Sequence, residues 1–133
     1  MKILKVVGIL ISVYLVLVVG FESMLGYFQP ENQSTLVIHT NTDGVVNSRV
    51  LVRIEHADQL YVAVNHWPRA WYYATIENPN VSITIEGNKS EYLAYSVDDE
   101  KEASDVDAAN PLGLGFRFLT GFPPRYFVRL ERK

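Results

Sequence analysis

The chain contains no cysteine. Disulfides, thiolate metal ligands and a cysteine nucleophile are thereby excluded, while the redox compartment stays open. Basic charge is also short: 12 Lys and Arg stand against 15 Asp and Glu, for a net charge of −3. Nucleic-acid-binding chains usually carry a basic face, so no nucleic-acid partner is expected. The three histidines, His39, His56 and His66, fall on different segments with no H-x-x-x-H or H-E-x-x-H spacing. They read as surface or internally satisfied side chains, and no metal site is expected. Walker, G-x-G-x-x-G and G-x-S-x-G motifs are missing, as are internal repeats and low-complexity tracts. Nothing in the sequence assembles a catalytic acid–base or nucleophile constellation.

What is present begins with Val6 to Phe21, "VVGILISVYLVLVVGF", which carries no charge. Counted from Ile3, the apolar span is about 19 residues, and a helix of that length rises about 28 Å, close to the thickness of a bilayer's hydrocarbon core. No polar face interrupts it, as one would in a helix packed on a soluble core. Two readings stand: an uncleaved single-pass transmembrane signal anchor, or a cleaved signal peptide. Residues 1–22 are assigned to this element and residues 23–133 to a single domain. Lys2 and Lys5 precede the run, and no Lys or Arg follows until Arg49. The positive-inside rule then puts the N-terminus in the cytoplasm and the domain outside.

Within the domain, β-branched alternation marks strands at 34–40, 48–56, 60–65, 81–87, 90–97 and 125–132. In the second of these, Val50, Val52 and Ile54 share a face as the apolar side. Asp43-Gly44 is a two-residue hairpin signal. Pro68 suits the first turn of a helix, which Asn78-Pro79 ends. Residues 98–110 read as a short acidic helix with a solvated face and Asp98 as its N-cap. Residues 111–124 read as irregular. The order β-β-β-α-β-β-α-β lacks a βαβ rhythm. It predicts a mainly β (α+β) fold: a six-stranded small barrel with one or two short helices, preceded by the N-terminal transmembrane helix.

The densest feature is "NHWPRAWYY", Asn65 to Tyr73, beside the "TNTDG" turn at Thr40 to Gly44. A loop-to-helix junction next to a hairpin turn makes a cleft. Backbone N–H groups at the helix start, with Arg69, would favour an anion, and Trp67 and Trp71 could stack on a flat ring. The competing reading is that Trp71, Tyr72 and Ile76 pack the helix onto the barrel.

Two runs, "LVIHTNTDGVVNSRVLVRIEHADQLYVAVN" and "PRAWYYATIENPNVSITIEG", resemble the deazaflavin-dependent nitroreductase family, whose split β-barrel is related to the pyridoxamine-phosphate-oxidase-like FMN-binding proteins. The family's "PAWYxNLxANPxVxV" unit is matched in order by Pro68, Trp71, Tyr72, Asn78, Pro79 and Val81, with one extra residue before "AWY". The resemblance implies a split barrel that binds the deazaflavin coenzyme F420, or FMN. It places cofactor contacts at Thr40, Thr42, Arg49, Asn65, His66, Trp67, Arg69 and Trp71. It departs at the family's basic "TTGRKSG" turn, which appears here as Thr40-Asn41-Thr42-Asp43-Gly44, without Arg or Lys and with an acid. An acid near a phosphate is unfavourable.

Two functions follow. One is a membrane-anchored oxidoreductase of nitroreductase or quinone-reductase type, passing hydride from F420 or FMN to a quinone or nitro-compound, as a homodimer. The other is a non-catalytic, membrane-tethered split-barrel binding module that has lost its cofactor.

Overall fold

The computed structural model describes residues 1–27, 34–65 and 70–133. Helix α1 (Lys2–Tyr27) leads into a domain of seven strands: β1 (Thr35–Thr42), β2 (Val45–Val52), β3 (Ile54–His56), β4 (Gln59–Val64), β5 (Asn80–Ile85), β6 (Asn88–Ser96) and β7 (Tyr126–Arg132). Three short helices intervene: α2 (Ala70–Glu77), α3 (Glu100–Ala109) and α4 (Leu114–Leu119). All strands join one antiparallel sheet in the order β2-β1-β5-β6-β7-β4-β3. The two outermost strands are consecutive in the chain, so a single segment, broken at Arg53, supplies both edges. The sheet therefore curls into a half-barrel, which also answers the edge-strand problem.

The strand count corrects the expected six. The segment read as one strand from Ser48 to His56 divides at Arg53, whose backbone N–H makes the last bond on the β1 side, to the Ser34 carbonyl at 2.9 Å, before Ile54 pairs with Tyr61 of β4. Its first half pairs with β1 and its second with β4.

Register settles which face is inside. Asp43 and Gly44 have φ of 51° and 82°, the left-handed pair that a two-residue type I′ hairpin requires. That turn aligns Leu36 with Leu51 and Ile38 with Arg49. Leu36 and Ile38 lie in the main core with Val62, Val81, Ile83, Ala94, Val128 and Leu130, and Leu51 packs against it. The inward residues of β2 are thus Leu51 and Arg49. Val50, Val52 and Ile54 do share a face, but it is the outer one: Val52 is exposed, and Ile54 is covered only because α3 packs there. A one-residue choice of face inverts the whole set, and alternation alone cannot make that choice.

Helix α3 covers the outer face through Val106, which meets Ile54, Tyr61 and Phe127. Its N-cap is Asp99, not Asp98: the Asp99 carboxylate accepts from the backbone N–H groups of Lys101 and Glu102. Nor is its acidic face simply solvated. Arg129 donates to both Glu102 oxygens at 2.7 and 3.0 Å, the Tyr61 hydroxyl donates to Glu102 at 2.7 Å, and Arg125 donates to Asp107 at 2.6 Å. Two arginines of the β7 region therefore dock this helix. Burial, followed by the bond to Glu102, pushes the Tyr61 phenol up to about 12.

Residues 111–124 contain the short helix α4, where no regular element is expected. It lies along α1. Phe116 meets Phe21 and Phe118 meets Tyr14, with ring centroids 5.8 and 4.9 Å apart. Helix α1 turns one face to the domain through Tyr14, Val18, Phe21, Glu22 and Leu25, at helical spacing, whereas residues 1–13 are all exposed. By length and composition α1 can cross a membrane; a signal sequence passes the same test.

Candidate functional site

The inward face of β1 changes character along its length. Leu36 and Ile38 are apolar and buried; Thr40 and Thr42 follow toward the barrel mouth. On β2 the facing residues are Arg49 and Asn47. Helix α2 lies over this mouth, and between them runs a cleft of about 460 Å³ lined by Thr40, Thr42, Asn47 and Arg49 from the sheet and Trp71, Tyr73 and Glu77 from the helix. That volume suits a small organic ligand, for which roughly 300–1,000 Å³ is typical.

Helix α2 is held from both ends of its polar chemistry. The Tyr72 hydroxyl bonds Ser96 Oγ at 3.1 Å, and its ring stacks on Tyr126 at 5.8 Å. Asn78 donates from Nδ2 to the Asn41 carbonyl at 3.0 Å, while its Oδ1 accepts from the Asn80 backbone at 3.2 Å. The Asn78-Pro79 pair thus ends the helix and pins it to β1. With Tyr72 facing the sheet, Trp71 sits between two jobs: it packs against the core cluster and it also walls the cleft. Ile76 does not join that packing, being 56% exposed.

Arg49 is the positive group of the described lining. Burial holds its pKa below the ordinary value, with the Glu22 carboxylate pulling it back up. Its Nη2 donates to the Leu25 carbonyl at 3.0 Å. The same side chain therefore lines the cleft and ties down the end of α1.

Of the expected contacts, the fold brings Thr40, Thr42, Arg49 and Trp71 around one cleft. Asn65 points elsewhere, accepting from Arg125 Nε at 2.9 Å. His66, Trp67 and Arg69 lie outside the described residues. Asn47, Tyr73 and Glu77 belong to the lining and were not anticipated. The first follows from the hairpin register and the other two share a helix face at i, i+4, so the signal was present but needed the inward face to be known. His39 is satisfied on both ring nitrogens, by Ser48 at 2.7 Å and Thr84 at 2.9 Å. Burial and then Lys89 lower its pKa.

The lining matches the two halves of a flavin-type cofactor unequally. Two aromatic rings with hydroxyl and amide groups opposite suit a flat heteroaromatic ring. Among the described lining residues a phosphate tail finds one arginine, already engaged with α1, and an acid, Glu77.

No family model matches the chain, and no curated protein matches it. Solved structures do. An F420-H2 dependent reductase superposes with a TM-score of 0.57 at 16% identity, over 78% of this chain and 99% of that one. The FAD binding protein from Mycobacterium smegmatis gives 0.55 at 13%, over 84% and 85%. A domain-swapped dimer gives 0.59 at 16%, over 76% and 82%. At these identities the likeness is one of fold. What the superpositions share with this chain is the curled antiparallel split barrel.

Proposed function

We propose that this chain is a membrane-anchored oxidoreductase whose cleft holds the ring of a flavin or deazaflavin beside a quinone or nitro-compound. The observation that carries the reading is the double role of Arg49. Because it lines the cleft and bonds the end of α1, the cleft mouth opens next to the point where an apolar helix would leave a bilayer. A ring-shaped, lipid-soluble acceptor could reach it without crossing water. Trp71 and Tyr73 would face the rings, Thr40, Thr42 and Asn47 would hydrogen-bond their polar edges, and Arg49 would meet a phosphate. A bound flavin or deazaflavin supplies the hydride chemistry, which leaves the protein to bind, orient and exclude water. The packing of α1 on α4 supports an anchor that is retained over one that is cleaved. We include a homodimer in this reading, since one of the structures with this fold is a domain-swapped dimer.

One observation favours a second reading, a binding module without a cofactor. Glu77 offsets Arg49, so the described lining carries no net positive charge for a phosphate ester. The absorption spectrum of the purified protein, followed by titration with FMN and F420, separates the two. A yellow protein or saturable binding supports the reductase. A colourless protein that binds neither supports the module.

A further inference from the structure

We propose that α4 and the turn after it, Leu114 to Phe122, form a second membrane-embedded element that enters the lipid alongside α1. The inference rests on the anchor reading of α1 and extends it to a part of the folded domain.

A spanning helix needs about 20 apolar residues for a hydrocarbon core of about 30 Å. The apolar run of α1 ends at Phe21, and α4 lies against its last part: Phe116 on Phe21, Phe118 on Tyr14. Seven residues separate Tyr14 from Phe21, or about 10 Å of rise. Were α4 in water, α1 from Tyr14 onward would be in water too. Only Ile3 to Val13 would remain, rising about 16 Å, half of what a span requires. If α1 crosses the bilayer, α4 is immersed with it.

Leu114, Phe118 and Phe122 are 76%, 50% and 55% exposed. An aqueous loop has no reason to spend three large apolar residues in this way, and here they continue the lipid-facing surface of α1.

Lipid tolerates a non-spanning segment only where its polar groups are satisfied internally. The Phe116 carbonyl accepts from the Thr120 backbone and hydroxyl, each at 3.0 Å. The Arg117 carbonyl accepts from the Phe122 N–H at 2.8 Å and again from Thr120 Oγ1 at 3.2 Å. The Phe118 carbonyl accepts from the Gly121 N–H at 3.2 Å and from the Tyr14 hydroxyl at 2.8 Å. Gly121, at φ 79°, closes this as a Schellman cap, and a Cβ there would stand 3.3 Å from Val18 Cγ1. The Tyr14 bond solves two problems at once, because a phenol in the middle of a span also needs a partner. Orientation agrees. The C-terminal end of α4, whose carbonyls are bonded, lies deep at Tyr14. Its N-terminus, where Gly113 offers no side-chain cap, lies at the Phe21 end, level with headgroups. The Arg117 side chain is long enough to snorkel the same way.

The absence of native cysteine makes the test direct. Single substitutions Leu114→Cys, Phe122→Cys, Leu10→Cys on α1 and Lys101→Cys on α3 are labelled with an environment-sensitive fluorophore. The full-length protein is reconstituted into phosphatidylcholine–phosphatidylglycerol vesicles with and without acyl-chain-brominated lipid. Position 122 should lose emission to bromine as position 10 does, and position 114, nearer the headgroups, to a smaller extent, while position 101 keeps its emission. Quenching at 10 but not at 114 and 122 overturns the inference and leaves the anchor standing. No quenching at 10 overturns both. Protection of 114 and 122 from a water-soluble maleimide without quenching by brominated lipid shows that a second copy covers the patch, which also overturns it.

Discussion

Trp71 and Tyr73 line the same cleft from the same helix, yet they should respond differently to truncation. Trp71 is partly buried, packs on the core cluster and stands edge-on to Tyr72 with centroids 6.1 Å apart. An aromatic side chain of its size buries roughly 200 Å² when fully covered. Covering about half of that, at about 25 cal/mol per Å², contributes about 2.5 kcal/mol. Each kcal/mol shifts the melting temperature of a domain this size by about 4–8 °C, so Trp71→Ala should lower it by about 10 °C or more. Tyr73 is 58% exposed and meets Tyr72 only edge-on at 5.7 Å. Tyr73→Ala should stay within about 0.5 kcal/mol of the parent, as exposed substitutions do. Both variants should weaken binding of FMN or F420, because both rings wall the cleft. The assay is a thermal melt of each variant beside a cofactor titration. If Tyr73→Ala binds as the parent does while Trp71→Ala loses binding only in proportion to its unfolding, the two rings are packing residues and the cleft is not the ligand site.

Three further outcomes follow from the geometry. Glu102→Ala removes the acceptor shared by Tyr61 and Arg129; a buried phenol left without its partner costs about 1–3 kcal/mol, so equilibrium urea unfolding should show a loss of at least that size, and an unchanged midpoint would mean that α3 docks by Val106 alone. The pKa of His39 is lowered, first by burial and then by Lys89, so the unfolded chain takes up the proton first, and stability should fall as pH drops below the ordinary value of 6.5; His39→Gln should flatten that part of a melting-temperature profile, and an identical profile would refute the assignment. Glu77→Gln removes the acid of the described lining and should tighten FMN several-fold by isothermal titration, whereas Asp43→Asn, which keeps a residue tolerant of positive φ, should change affinity less because Asp43 serves the turn.

The sequence makes local chemistry plain and global choices opaque. The Asp43-Gly44 turn, the Asn78-Pro79 helix stop and the strand that starts at Val81 are legible because each depends on neighbours a few residues away. The inward face of β2 is not, since alternation offers Val50 with Val52 or Arg49 with Leu51, and only pairing with Leu36 and Ile38 decides. The break at Arg53 is hidden for a similar reason: the two halves keep the same alternation, and the change lies in which strand each half pairs with. Glycines and prolines make residues 111–124 look irregular, and α4 forms there because α1 lies against it. In the candidate site, Trp71 announces itself by composition. Asn47, Tyr73 and Glu77 do not, because ordinary residues become a lining only once the strand faces are assigned.

The most direct test of the central claim is turnover at the membrane. Full-length protein in vesicles is supplied with reduced F420 or reduced FMN, and reoxidation is followed by absorbance with a quinone dissolved either in the bilayer or in water. Protein-dependent reoxidation that is faster with the lipid-dissolved quinone, and is lost in Trp71→Ala at a temperature where that variant remains folded, is the predicted result. Reoxidation no faster than in protein-free vesicles, with either cofactor and either quinone, would contradict it and leave the binding module.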